Sequence, residues 1–371
     1  MKDIVFFEDV FGNFGGIEKV IVNIADRISK EKFHINLLVN KVISDEYREV
    51  LKQCNVTIHE LQDEFIENPV KRHIRGLRMF DAYLRNRKIA IIHFHISNAI
   101  DLLYVLVAKK NGISNRIVHS HNSNATSRFK RYTHNFFKLF LKKTPTVYMA
   151  CSRKASEWLF GRRISESGSV ILLKNAINTK EYLFSEEKRK KERIKYGYGS
   201  DFIVGHIGRF NTQKNHMFLI DIFRELRKRK ENARLILVGE GGLRKNVENY
   251  VRQLGLYDFV EFYGSSNDVP GLLSAFDVFL LPSLYEGLPV VLVETQAASL
   301  PALVSDSITE EVRVSEYIKY LSLEQSAGEW AEEILSIADT TRGACYGKIL
   351  AAGFDIEDIV KQLEEVYRGL S

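Results

Sequence analysis

The chain has little cysteine, no long apolar run and one wide gap in its acidic residues, and each shortage closes off a class of protein. Its three cysteines, Cys54, Cys151 and Cys345, are odd in number and far apart. That fits neither a disulfide framework nor a zinc knuckle and suits a reducing compartment. No stretch of 18 apolar residues exists; the nearest, AIDLLYVLVA at 99–108, is short and carries Asp101, so no transmembrane helix is predicted. The opening MKDIVFFEDV runs straight into an apolar strand and has Glu8 and Asp9 where a secretory leader needs apolar and small residues. The expected location is the cytoplasm or, peripherally, the inner face of the membrane. From Leu102 to Ser156 there is no acidic residue, against eleven lysines and arginines. One face of the first half is therefore expected to be positive, which suits phosphate-bearing partners or an anionic membrane surface. A nucleic-acid partner is not expected.

What remains is a globular chain of 371 residues, 45% hydrophobic and 27% charged, long enough for two domains. Short β-branched runs recur between helical patterns: IVFF, HINLLV, IAIIHFH, NRIVHS, TVYMACS and SVILLKN, then FIVGHIG, ARLILVG, VEFYG, FDVFLLP and PALVSD. Strands alternating with helices imply parallel sheets covered on both faces. The series breaks between Ile177 and Asp201, which divides it into two doubly wound sheets: a first α/β domain over 1–177, a charged linker over 178–200 and a second domain over 201–354. The last stretch, 355–371, has helical spacing and could return to the first domain.

Ligands of open α/β sheets bind beyond the carboxyl ends of the strands, so the loops there are the ones to search. After the first strand, Gly12, Gly15 and Gly16 lead into a helix whose N-terminus could meet an anion, although the pattern is neither a dinucleotide fingerprint nor a P-loop. After FIVGHIG, Arg209 and Lys214 stand in a loop that opens a helix, a pair of cations suited to a diphosphate. The stretch SLYEGLPVVLVETQ puts Glu286 and Glu294 into an otherwise apolar segment with seven residues between them. With Pro289 opening a helix, the two carboxylates flank a helix N-terminus roughly ten ångström apart. Hydroxyls at both ends of a ligand and a negative charge over the Gly287, Leu288, Pro289 and Val290 amides would match that arrangement, which describes a nucleotide sugar.

EGLPVVLVE is similar to the E-x7-E motif of retaining glycosyltransferases of the GT-B fold, specifically glycosyltransferase family 4, the glycosyl transferases group 1. The opening Gly15-Gly16-Ile17-Glu18, GRFNTQKN at 208–215 and LVGEG at 237–241 resemble further elements of that family, in its order. The resemblance implies two Rossmann-like domains facing a central cleft and transfer of a sugar from a UDP-sugar or another nucleotide-sugar donor, with retention, to a glycan or lipid-linked glycan in capsular or exopolysaccharide synthesis. It also implies roles. Arg209 and Lys214 would neutralise the leaving diphosphate, Gly15 and Gly16 would approach it, Glu294 would hold the ribose, Glu286 the donor sugar, and His121 would stand by donor sugar and acceptor. No cofactor or metal is implied, since no D-x-D clamp occurs in the chain and the cations take that task. A GT-B epimerase and a non-catalytic nucleotide-sugar binder are the alternatives. The family's NGID element is Asn175-Ala176-Ile177-Asn178 here, and Ser299 stands where glycine is usual, so an altered loop is expected there. The loop 262–268 is expected to meet the base.

The pairs His93-x-His95 and His119-x-His121 each face one side of a strand, but no carboxylate or cysteine lies near them in sequence, and no metal site is assigned. Finally, RFKRYTHNFFKLFLKK at 128–143 reads as a helix with Phe129, Tyr132, Phe136 and Phe140 on one face and Arg131, His134, Lys138 and Lys142 opposite. Two readings fit: an aromatic core stripe under a solvated basic face, or a helix lying on anionic lipid.

Overall fold

The computed structural model describes every residue except 13–15, 86, 125–127, 142–143, 267 and 371, and no side chains at 128–130. It divides into two units, one comprising Met1–Asn175 with Ile356–Ser371, the other Ala176–Asp355.

The first unit holds β1 (Lys2–Phe11), β2 (Phe33–Val42), β3 (Thr57–Glu60), β4 (Ile91–Ile96), β5 (Asn115–Ser120), β6 (Val147–Ala150) and β7 (Val170–Leu172). They form one sheet in the order β3-β2-β1-β4-β5-β6-β7, parallel at every pairing. The second unit holds β8 (Phe202–Ile207), β9 (Ala233–Val238), β10 (Val260–Gly264), β11 (Val278–Leu281), β12 (Ala302–Ser305) and β13 (Ile318–Leu321). Their order is β10-β9-β8-β11-β12-β13, again parallel throughout. All six residues of β4 and all four of β11 are buried, as expected of strands covered on both faces, where apolar runs replace alternation. Each sheet reverses its winding once, between β1 and β4 and between β8 and β11, and these switch points are where ligands of such sheets gather.

The segment 178–200, expected as a linker, is a packed part of the second unit. Its helix Glu186–Tyr196 is capped by Ser185 and closed by Gly197 in the left-handed conformation, and Arg189 and Arg193 both reach the Asp277 carboxylate. The final helix, Ile356–Gly369, belongs to the first unit. Lys2 Nζ donates to the Tyr367 carbonyl at 2.9 Å, the Ser29 amide donates to Glu364 Oε1 at 2.9 Å, and the Tyr367 hydroxyl lies 2.6 Å from His93 Nδ1.

The basic aromatic segment is the main departure from expectation. It forms a helix over Arg128–Phe137 and a 3-10 turn over Lys138–Leu141, but its faces are the reverse of a core stripe. Tyr132, Phe136 and Leu139 are 75%, 52% and 64% exposed, while His134 is fully buried. The Ala99 amide donates to His134 Nδ1 at 3.1 Å and His134 Nε2 meets the Trp158 carbonyl at 3.1 Å, with the imidazole stacked on the indole. Lys138 joins it on the same carbonyl at 2.6 Å. The inward face is therefore polar and internally satisfied, and the outward one aromatic. Phe129 and Lys142 lie outside the described side chains.

Candidate functional site

In the second unit the switch strands β8 and β11 deliver two loops to one place. After β8, Asn211 caps the turn Thr212–Lys214 by accepting from the Lys214 amide at 3.1 Å, and Asn215 takes a left-handed φ of 55° before the helix His216–Arg227 begins. The glycines of LVGEG let the chain after β9 pass against this loop. A Cβ on Gly239 would stand 2.3 Å from the Gly208 carbonyl oxygen, and one on Gly241 2.5 Å from that of Phe210; both residues also have positive φ, so no side chain fits there. The loop after β11 is stitched to the first: the Leu284 amide donates to the Gln213 carbonyl at 2.8 Å, and Asn215 Nδ2 donates to the Pro282 carbonyl at 3.2 Å.

At this junction Lys214 Nζ donates to Glu286 Oε1 at 2.7 Å. Gln213 Nε2 donates to the other oxygen, Glu286 Oε2, at 3.0 Å and to the Tyr285 carbonyl at 3.0 Å. The two charged side chains are only 14% and 8% exposed. A buried carboxylate needs partners, and here they are residues of the same site. The sequence assigned Lys214 to a diphosphate and Glu286 to a sugar as separate contacts; the structure brings them together, so a ligand that uses both must share or displace this pair. Arg209 lies in the same loop, half-buried.

The helix expected after Pro289 runs from Val290 to Ala297 with Pro289 as its N-cap residue. Gly287, Leu288, Pro289 and Val290 are buried at its start. Glu294, on the helix and 5% exposed, accepts from the Tyr182 hydroxyl at 2.7 Å. Burial and then the Glu294 charge push the Tyr182 hydroxyl well above its ordinary pKa, so it stays a donor. Ser299 follows this helix with φ of 50°, and its amide bonds the Gln296 carbonyl while that of Leu300 bonds Thr295. The serine thus takes the left-handed turn that glycine usually supplies.

In the first unit, Gly12 has φ of 114° and a Cβ there would meet Ser44 at 2.8 Å. Gly16 starts the helix Gly16–Arg27, and among the described residues nothing lies within 4 Å of an added Cβ; Gly15 lies outside the described residues. His121 follows β5 and is 8% exposed. It does not stand alone: β4 and β5 pair with His95 opposite His119, and His93, His95, His119 and His121 form one stack of rings, with centroids 4.3 Å apart for His93 and His95 and 4.0 Å for His119 and His121. Burial, reinforced by neighbouring imidazoles, holds His93, His95 and His121 well below the usual histidine range, and burial pushes His119 down to about 3. One ring nitrogen from each of His93, His95 and His119 lies within 4.8 Å of the others, a spacing one transition-metal ion could bridge. His93, however, is engaged at both nitrogens, by the Tyr367 hydroxyl and by His119 at 3.3 Å, so an ion would have to break that chain.

Sequence reasoning missed Gln213 and Tyr182, and it noted His95 only in its pair with His93, not as a neighbour of His121. Gln213 stood inside the quoted GRFNTQKN element as an unassigned neighbour of Lys214. Tyr182 is 112 positions from its partner Glu294, and nothing in the local sequence links them.

Comparison with known proteins agrees with this architecture. Residues 14–181 match the model described as Glycosyltransferase Family 4, and residues 185–341 match that described as Glycosyl transferases group 1. The putative glycosyltransferase EpsF of Bacillus subtilis is 31% identical over 363 residues, covering 96% of this chain and 94% of its own. The capsular polysaccharide biosynthesis glycosyltransferase CapH of Staphylococcus aureus is 24% identical, covering 96% of each chain. The Escherichia coli UDP-Gal:alpha-D-GlcNAc-diphosphoundecaprenol alpha-1,3-galactosyltransferase is 23% identical over 78% of this chain and 76% of its own. Among solved structures, Anabaena HepE in complex with UDP and glucose superposes with a TM-score of 0.80 at 18% identity, over the whole of both chains. Two doubly wound parallel units in tandem, with a charged pair at the second switch point, are the GT-B class of fold. The chain belongs to the family of the glycosyl transferases group 1, glycosyltransferase family 4. Among the described residues no helix is long and apolar enough to cross a membrane.

Proposed function

We propose that the protein moves a sugar from a UDP-sugar, with retention and without a metal, to a lipid-linked glycan during synthesis of a capsular or exopolysaccharide. The observation that carries this reading is the Lys214–Glu286 pair, held by Gln213 at the end of the second switch. It sets a cation and a hydroxyl acceptor within one bond of each other beside the start of the Val290–Ala297 helix. As the glycosidic bond breaks, charge builds on the diphosphate; Lys214, joined by Arg209 and the helix dipole, stabilises that charge in a site where water is scarce. Glu286, released from part of its lysine contact, accepts from sugar hydroxyls. Glu294, steadied by Tyr182, accepts from the ribose. His121 stands by the sugar, and Gly15 and Gly16 approach the diphosphate. The UDP donor and diphosphoundecaprenol-linked acceptor of the E. coli relative, and the capsular role of CapH, support the choice of donor, acceptor and product.

The outward face of Tyr132, Phe136 and Leu139, together with the acid-free stretch around it, supports a peripheral hold on anionic lipid, where the acceptor would reside.

Calorimetry with UDP, GDP and ADP in the presence of chelator, followed by labelled UDP-sugars without acceptor, tests the reading. Binding of UDP and slow release of free sugar is the expected result. A changed sugar points to an epimerase, binding without any release to a non-catalytic binder, and turnover that vanishes with chelator removes the metal-independent mechanism. Flotation with vesicles of neutral and of anionic lipid tests the membrane contact: anionic vesicles alone should carry the protein, and Phe136→Ser with Leu139→Ser should abolish it.

A further inference from the structure

The first sheet has a switch point of its own, and a charged pair stands beside it toward the carboxyl end of β1. Asp9 accepts from Asn40 Nδ2 at 2.5 Å through Oδ1, and from Arg72 Nε and Nη2 at 3.3 and 3.1 Å through Oδ2. Arg72 Nη1 donates to the Ile66 carbonyl at 2.9 Å, and the guanidinium lies over the Phe65 ring, 5.4 Å from its centre. Behind the pair, Asn40 meets the Tyr104 hydroxyl at 2.9 Å and Gln62 Nε2 at 3.1 Å. A Cβ on Gly76 would stand 2.3 Å from both Asn40 Oδ1 and the Tyr104 hydroxyl, so the helix that carries Arg72, Pro69–Arg85, needs glycine there to come this close. The Asp9 carboxylate is thus fixed on both oxygens by side chains of a strand and a helix, the support a recognition group requires.

Three features set this apart from a pair that only ties a helix to a sheet. The Asp9 side chain is 29% exposed, and a carboxylate with about four acceptor positions has capacity left after three bonds. Gln62 Oε1 and His73 Nε2, beside Arg72, are buried without a hydrogen-bond partner among the described residues, which a purely structural cluster has no reason to tolerate. Phe65 is 43% exposed, and the exposed Asp63, Glu64 and Glu67 around it make no side-chain ion pair among the described residues. These charges select the ligand. One guanidinium, already paired, among four carboxylates disfavours a phosphate or an anionic lipid, and a cation would compete with Arg72 for Asp9. A neutral polyol fits: its hydroxyls donate to carboxylates and accept from the guanidinium, while its C–H face covers an aromatic ring. We propose that Asp9, Arg72 and Phe65 form a saccharide subsite for the acceptor glycan, Phe65 taking the face of one sugar residue and the charged pair two of its hydroxyls. This rests on the reading of the protein as a transferase to a glycan, and assigns its choice of acceptor to the end of β1 and the loop after β3.

Saturation-transfer NMR on the full-length protein with the methyl glycosides of glucose, galactose and N-acetylglucosamine tests it, alongside release of sugar from labelled UDP-sugars without acceptor. At least one glycoside takes saturation from the parent protein, and Phe65→Ser and Asp9→Asn each weaken its binding about tenfold or more. Phe65→Tyr keeps it. Donor binding and sugar release, which use other residues, stay at the parental level in all three variants; in transfer to the same glycoside, acceptor KM rises in Phe65→Ser and Asp9→Asn while kcat changes little. Should Asp9→Asn fail to fold, Phe65→Ser, a change at the surface, decides the matter. Glycoside binding unchanged in Phe65→Ser overturns the proposal, as does a parent protein that binds none of the three. If the parent releases no sugar from any UDP-sugar yet binds a glycoside through Phe65 and Asp9, the subsite stands and the transferase reading falls.

Discussion

Breaking the Lys214–Glu286 pair should separate stability from catalysis. Both side chains are largely buried, so removing one leaves the other charged in a dry place. Losing one partner of a buried pair costs about 3–5 kcal/mol, and replacing both partners with neutral groups is often close to neutral. For Lys214→Met the lower end of that range applies, since Gln213 still donates to Glu286 Oε2. For Glu286→Gln the cost is about 1–2 kcal/mol, because the lysine, 14% exposed, can turn toward water. The double variant should recover most of the summed loss, leaving about 1.5 kcal/mol and giving a coupling of about 3 kcal/mol. Turnover should be abolished in all three. The two tryptophans make the assay local: Trp158 lies in the first unit and Trp330 in the second, so in a Trp158→Phe background urea unfolding followed by fluorescence reports the unit that holds the pair. Single variants as stable as their parent, with a coupling under about 0.5 kcal/mol, would refute the pairing. Near-normal turnover in the double variant would remove both residues from the mechanism.

Three further outcomes follow from named contacts. Tyr182→Phe removes a hydrogen bond to the Glu294 carboxylate and should weaken UDP binding by about 1.5 kcal/mol, measured by calorimetry; unchanged affinity would detach Glu294 from the ribose. Gly205→Ala would set a Cβ 2.0 Å from the Phe276 ring in the middle of β8, and should destabilise the second unit by about 1–3 kcal/mol, read by the same fluorescence assay. Acid should unfold the protein early. His119 and His216 are held near pKa 3, chiefly by burial, against an ordinary 6.5, so the unfolded chain binds the extra protons. Their contribution is complete above pH 6.5 and fades as pH falls toward 3, about 2 kcal/mol for each ring by pH 5. A stability flat from pH 7 to 5 would contradict this.

Most of the strands were readable because buried parallel strands write themselves as apolar runs, as in FIVGHI and FDVFLL. The two strands that escaped, TIHE in β3 and IKYL in β13, each lie at one edge of a sheet, while the opposite edges, β7 and β10, were read as strands. An edge has one neighbour and mixed exposure, eiie and Beii along the two strands, so neither a run nor a clean alternation survives. The candidate site residues at strand ends were picked out by type and place, since glycines, cations and carboxylates are conspicuous after an apolar run. Their mutual contacts were not, because the meeting of Lys214 with Glu286 depends on which strands border the switch. The 128–143 segment misled for a related reason. Spacing identifies two faces of a helix, but which one turns inward depends on the neighbours, and Ala99 and Trp158 supply hydrogen bonds that make the His134 face the buried one.

The last helix carries a consequence for how the polypeptide is made. Tyr367 closes over His93, and Lys2 ties down the end of that helix, yet both belong to a unit whose other residues end at Asn175. During synthesis the ribosome must therefore lay down all of Ala176–Asp355 before the earlier sheet receives its covering helix. That sheet emerges first and is completed second, and for the interval its imidazole stack has no lid.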